Sequence, residues 1–123
     1  MKALVVDDSR VMRMLLSQML KEVGFADVSQ AEHGGAGLTH LTGNTDTALA
    51  LVDWNMPEMT GIEMVEAVRK NAALNNTKLV MVTTESESAQ VERALTLGAN
   101  EYVMKPFTKD VIAGKLKLLG FNL

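Results

Sequence analysis

Short apolar runs recur along this chain, each followed by a stretch whose apolar positions fall three or four residues apart. That alternation predicts strands and helices in turn, because a strand buried on both faces reads as a continuous apolar run whereas a surface helix buries one stripe. Ala3 to Val6 reads as the first strand, and Ser9 to Val23 as a helix in which Met12, Leu15, Leu16, Met19 and Val23 recur at helical spacing before Gly24 stops it. Val28 to Ala31 reads as a second strand with a weak pattern. A helix over residues 34–41 follows it, although Gly34, Gly35 and Gly37 each cost roughly 0.5–1 kcal/mol relative to alanine. Leu49 to Val52, Leu79 to Val82 and Tyr102 to Met104 read as the third, fourth and fifth strands. Helices are predicted over Gly61 to Asn71, over Ser86 to Leu97 with Gly98 at its end, and after the cap Thr108, with Ile112, Leu116 and Leu119 as the last helix's inward stripe. Repeated βα units predict an α/β fold, a five-stranded parallel sheet with helices on both faces. At 123 residues and 47% hydrophobic, the chain is expected to form a single domain spanning 1–123.

Four of the predicted strands end in groups suited to phosphate. The first is followed by Asp7 and Asp8, the third by Asp53, the fourth by Thr83 and Thr84, and the fifth by Lys105 and Pro106. In a parallel sheet the carboxyl ends of neighbouring strands share one edge, so these groups are predicted to meet in one crevice. Three carboxylates packed together repel one another unless a cation joins them. With oxygen donors alone the hard ions Mg²⁺, Mn²⁺ and Ca²⁺ are favoured, and Mg²⁺ commonly pairs one or two carboxylates with a phosphate oxygen. Lys105 offers a point charge and Thr83 a hydroxyl to a phosphoryl group. Phosphoryl transfer needs mainly positioning and charge neutralisation, which makes Asp53, on the central strand, the natural acceptor.

Composition narrows the partners. A net charge of −3 without a basic stripe disfavours nucleic acid and leaves a protein partner as the expectation. The chain contains no cysteine, which excludes disulfides and thiolate metal sites and suits a reducing cytoplasm. Its opening apolar run is too short for a signal peptide or a membrane span, so neither export nor a membrane anchor is expected. The GGAG stretch lacks the spacing of a dinucleotide fingerprint, and His33 and His40 lack that of a helical metal pair and read as solvated. The nine methionines read as core filler.

Taken together, DDS after the first strand, VDWNMPEMTG after the third, VTTE after the fourth and EYVMKPFT around the fifth resemble the response-regulator receiver family, most closely its stand-alone chemotaxis receivers of the CheY type. The resemblance spans essentially the whole chain and implies a (βα)₅ flavodoxin-like fold. It implies that Asp53 takes a phosphoryl group from a CheA-like histidine kinase, with Mg²⁺ held by Asp8, Asp53 and the Asn55 carbonyl and assisted by Asp7. It also implies that Lys105 contacts the phosphate, that Lys105–Pro106 is cis, and that Thr83 and Tyr102 form a switch pair. Output would pass through the fourth helix, fifth strand and fifth helix, with Glu87, Tyr102, Met104 and Lys115 contacting a protein target, and no DNA-binding or catalytic domain is expected. Such a protein is a monomeric regulator rather than an enzyme, although it catalyses its own phosphorylation and dephosphorylation, the latter with Asn55 and Glu85 beside the site. Two departures stand out: His33 replaces an acidic residue common in the family, and Ser86-Glu87-Ser88 replaces the basic residue of receivers that bind the flagellar motor switch. A phosphate-sink or relay role outside chemotaxis is an alternative. A metal-dependent aspartyl phosphohydrolase fits less well, because its DxD nucleophile motif is met here by Asp7-Asp8-Ser9.

Overall fold

A computed structural model of the chain describes residues 1–84 and 90–122. Strands β1 (Lys2–Val6), β2 (Asp27–Ala31), β3 (Thr47–Asp53), β4 (Lys78–Thr84) and β5 (Glu101–Lys105) form one parallel sheet in the order β2-β1-β3-β4-β5. Helices α1 (Arg10–Val23), α2 (Gly34–Gly43), α3 (Gly61–Arg69), α4 (Val91–Leu97) and α5 (Lys109–Leu118) connect and follow them. The parallel sheet predicted from the strand pattern is found, in the flavodoxin-like order that the resemblance implied. Because β1 lies between β2 and β3, the chain winds outward one way and then the other, and the crevice of such a sheet opens at the carboxyl ends of β1 and β3.

Side-chain alternation divides the interior into two layers. Leu49 and Leu51 of β3 join Val5, Val80, Val82 and Val103 beneath Leu16 and Leu20 of α1 and Ile112 and Leu116 of α5. Ala50 and Val52 face the other way, with Leu4, Val6, Leu79 and Met81, beneath Leu41 of α2, Met64, Val65 and Val68 of α3, and Ala94 of α4. Each buried leucine or valine contributes roughly 1.5–3 kcal/mol relative to exposure, which outweighs the weak local propensity of the glycine-rich α2. That helix consequently runs to Gly43, past the predicted end.

The element ends depart from expectation in physically readable ways. The β4 ladder continues to Thr84, paired with Lys105, so Thr83 lies inside the strand rather than after it. On α1 the stripe is rotated: Leu16 and Leu20 are fully buried, whereas Leu15, predicted inward, is 43% exposed. Helix α3 ends at Arg69, and Ala72–Leu74 forms a separate 3₁₀ turn capped by Asn71. His33, read from the sequence as solvated, is half-buried and caps α2, its Nδ1 accepting the Ala36 N–H at 3.0 Å. Ser9 and Thr108 cap α1 and α5, and Thr60 forms a reciprocal capping box with Glu63 at the start of α3. The predicted start of the fourth helix at Ser86, together with Glu85, Glu87 and Ser88, lies outside the described residues.

Candidate functional site

Asp53 is the last residue of β3, and only 6% of it is exposed. Lys105, the last residue of β5, reaches across β4 to place Nζ 2.9 Å from Asp53 Oδ1. The Lys105–Pro106 bond is cis, as the resemblance implied. Asp7, just beyond β1, is 1% exposed; its backbone N–H donates to the Ala31 carbonyl at 3.1 Å and its Oδ1 accepts the Ser9 N–H at 2.8 Å. Arg13 donates from Nη1 to the Asp7 carbonyl oxygen at 2.7 Å, which ties the first turn of α1 to the same loop. Asp8 is exposed at the mouth of the crevice.

One carboxylate oxygen from each of Asp7, Asp8 and Asp53 lies within 4.8 Å of the other two. Among the described residues Asp7 Oδ2 is buried with no hydrogen-bond partner, and a buried charged oxygen left unpaired is costly. An all-oxygen donor set with one orphaned buried carboxylate oxygen fits a hard divalent cation. Asn55, the fourth predicted ligand, lies in the loop after β3 and is exposed. Burial pushes the Asp53 carboxyl up to about 6, with the neighbouring Asp7 charge adding to the rise, while the Lys105 hydrogen bond pulls it down. Burial raises Asp7 as well, against the Ser9 N–H and the Lys105 charge. Both shifts mark a site whose negative charge is incompletely compensated by protein groups alone.

Thr83 is buried, and its hydroxyl donates to the Thr84 carbonyl at 3.3 Å. The β4–β5 register pairs Met81 with Tyr102 and Thr83 with Met104, so Thr83 and Tyr102 share one face of the sheet, one row apart. Tyr102 is half-buried against the α2–α4 layer, and the Lys115 ammonium lies 4.3 Å from its ring centroid. Met104 and Lys115 are also half-buried, and the remaining predicted surface residue, Glu87, falls outside the described residues.

Two supports of the site escaped sequence reading. Gly61, read as a loop-to-helix residue, is where α3 begins against the end of β3: its N–H donates to the Trp54 carbonyl at 3.0 Å, and a Cβ there would lie 2.5 Å from the Asp53 carbonyl oxygen. Arg69 was not singled out at all. Its guanidinium donates to the carbonyls of Gly98, Leu74 and Thr77 and to Asn100 Oδ1, at 2.8 to 3.0 Å, binding the ends of α3 and α4 to the start of β4. Only the placement of Arg69 at a helix end hinted at such a role, since arginines there often meet terminal carbonyls.

Fold and site define a doubly wound α/β protein whose switch-point crevice holds a buried carboxylate paired with a lysine and flanked by two further aspartates. The sequence matches the Response regulator receiver domain over residues 3–117. Chemotaxis protein CheY1 of Helicobacter pylori is 44% identical over 123 residues, covering 99% of both chains, and a chemotaxis protein CheY homolog of Campylobacter jejuni is 45% identical over 117 residues, covering 95% of this chain and 90% of that one. Among solved structures, chemotaxis protein CheY4 of Vibrio cholerae superposes with a TM-score of 0.85 at 32% identity, covering 95% of this chain and 96% of that one. The chain belongs to the response-regulator receiver family. No helix among the described residues is long and apolar enough to cross a membrane.

Proposed function

We propose that this receiver takes a phosphoryl group onto Asp53 from the phosphohistidine of a CheA-like histidine kinase in a chemotaxis pathway, and signals through the face formed by α4, β5 and α5. The observation that carries the reading is the nearly buried Asp53 carboxylate held 2.9 Å from Lys105 within reach of Asp7 and Asp8. In the transfer an Asp53 carboxylate oxygen attacks phosphorus in line. The O–P bond forms as the P–N bond breaks, and the imidazole leaves with the electron pair and takes up a proton. A carboxyl titrating at about 6 is mostly ionised at neutral pH and so is available as the nucleophile. Lys105 then exchanges its carboxylate contact for a phosphoryl oxygen, stabilising charge where it accumulates.

Asp7, Asp8, Asp53 and the Asn55 carbonyl would hold Mg²⁺, which when bound neutralises the phosphoryl oxygens and the acidic cluster together. A carboxylate has two oxygens, so Asp53 would be able to hold the metal through one and attack phosphorus through the other. The Thr83 hydroxyl, which donates to the Thr84 backbone carbonyl, gains a stronger acceptor in the phosphoryl group. Moving toward it frees space on the face that Tyr102 shares. On this reading the protein acts as a cytoplasmic regulator that catalyses its own phosphorylation and reset, with a protein target on its output face; the chemotaxis setting is supported by the relatives' names. Incubation with Mg²⁺ and a small phosphodonor such as acetyl phosphate, followed by intact mass, tests the reading: one added phosphoryl group on the wild-type chain supports it, and an unmodified chain overturns it.

A further inference from the structure

We infer that Lys115 is a brake on the switch, holding the Tyr102 ring at the open edge of the sheet and so opposing the active conformation until phosphorylation overrides it. The inference rests on the proposed Thr83–Tyr102 switch and adds a residue that regulates it. Strand β5 is the edge strand, with β4 on one side and no strand on the other among the described residues. Tyr102 belongs to the α2–α4 face, whereas α5, which carries Lys115, covers the opposite face through Ile112 and Leu116. Side chains from opposite faces can meet only around the edge, so a Lys115 ammonium 4.3 Å from the Tyr102 ring centroid fixes the ring in its edge position. Glu101 completes the clasp: one of its carboxylate oxygens, Oε1, lies 3.3 Å from Lys115 Nζ and accepts the Tyr102 backbone N–H at 3.0 Å. That carboxylate therefore anchors the ammonium directly over the residue whose ring it holds. Turning the ring inward separates it from the cation, and the contact is lost in that state only. An interaction present in one of two conformations biases their ratio by its full strength.

Tyr102 is the only tyrosine in the chain, so 3-fluorotyrosine labelling gives a single ¹⁹F resonance that reports its ring. Lys115→Met keeps the apolar stem and removes the charge, and Lys115→Arg retains a cation able to sit over the ring. Without phosphodonor, the methionine variant should move the resonance toward the position that wild type reaches with Mg²⁺ and acetyl phosphate. The size of that movement should correspond to about a two- to fivefold rise in the inward-to-edge ratio, as expected for a partly exposed cation–π contact. The arginine variant should stay near wild type. A methionine variant that remains at the unphosphorylated wild-type position, while phosphodonor still moves the wild-type signal, overturns the brake and leaves the switch intact. Equal movement in both variants also overturns it, because the charge would then be irrelevant. A wild-type resonance that phosphodonor fails to move overturns the switch itself and the brake with it.

Discussion

Lys105 Nζ meets Asp53 Oδ1 at 2.9 Å across the full width of β4, joining the ends of two strands that are not neighbours in the sheet. The two side chains can meet because in a parallel sheet every strand delivers its carboxyl end to the same side. Among the described residues Lys105 is also the ammonium that bonds the acidic crevice, and it lies where the proposed phosphoryl group would sit.

Asp53→Asn removes the nucleophile while preserving shape. The variant should gain no phosphoryl mass with Mg²⁺ and acetyl phosphate, and peptide mapping of the wild type should find the label on Asp53 alone. Label on Asp7 or Asp8 would assign the acceptor elsewhere.

Trp54 follows Asp53 directly, is nearly buried, and is the only tryptophan. Mg²⁺ should therefore change its emission in a saturable way. Asp8→Ala, which removes an exposed carboxylate and disturbs little packing, should abolish the response; an unaltered titration in that variant would move the metal out of the crevice.

Burial raises Asp53 from 3.8 unfolded to about 6 in the fold, so between those values the folded protein binds more protons than the unfolded chain. Stability then falls as pH rises through that window. In metal-free buffer, Asp53→Asn should gain on wild type by about 1–3 kcal/mol between pH of about 4 and about 7, read from chemical denaturation midpoints. A gap that is constant or shrinks over that range contradicts the assignment. Saturating Mg²⁺ should reduce it, since the metal favours the ionised carboxylate.

A Cβ at Gly61 meets backbone at the Asp53 carbonyl and at Trp54 Cα, as well as Met81 Cε, and backbone cannot swing aside. Gly61→Ala should cost about 1–3 kcal/mol and slow phosphorylation by displacing Asp53 from Lys105. Full-rate phosphorylation in a destabilised variant would show that the strand end tolerates the shift.

Thr83→Ala should still accept phosphate but lose most of the phosphorylation-dependent gain in affinity for a target peptide, about 1–3 kcal/mol for typical coupling between two sites. Calorimetry with and without phosphodonor measures that gain. An undiminished gain rules out the Thr83 route.

The strands and the residues at their ends were legible because a parallel sheet converts a one-dimensional pattern into a shared edge. Asp7, Asp8, Asp53, Thr83 and Lys105 could be grouped without coordinates for that reason alone. What stayed hidden depends on packing in three dimensions. Leu15 and Leu20 are equally apolar, and only the angle at which α1 lies on the sheet decides which is buried. His33 carries no sequence signal as a cap, since its ring nitrogen serves only when neutral and turned toward Ala36. Gly61 resembles any loop glycine until the close approach of α3 is seen, and Lys115 finds Tyr102 only by reaching round an edge that no periodicity describes.

Arg69 carries a consequence for how this molecule meets acid. All four oxygens that its guanidinium contacts belong to amides, and neither they nor the guanidinium change protonation over the range in which Asp53 titrates. The clamp on the ends of α3 and α4 is therefore indifferent to pH, whereas the crevice on the carboxyl side of the sheet is not. Acidification through that range therefore protonates the proposed phosphoacceptor while leaving this one clamp intact, so its four hydrogen bonds should survive a loss of phosphorylation at low pH.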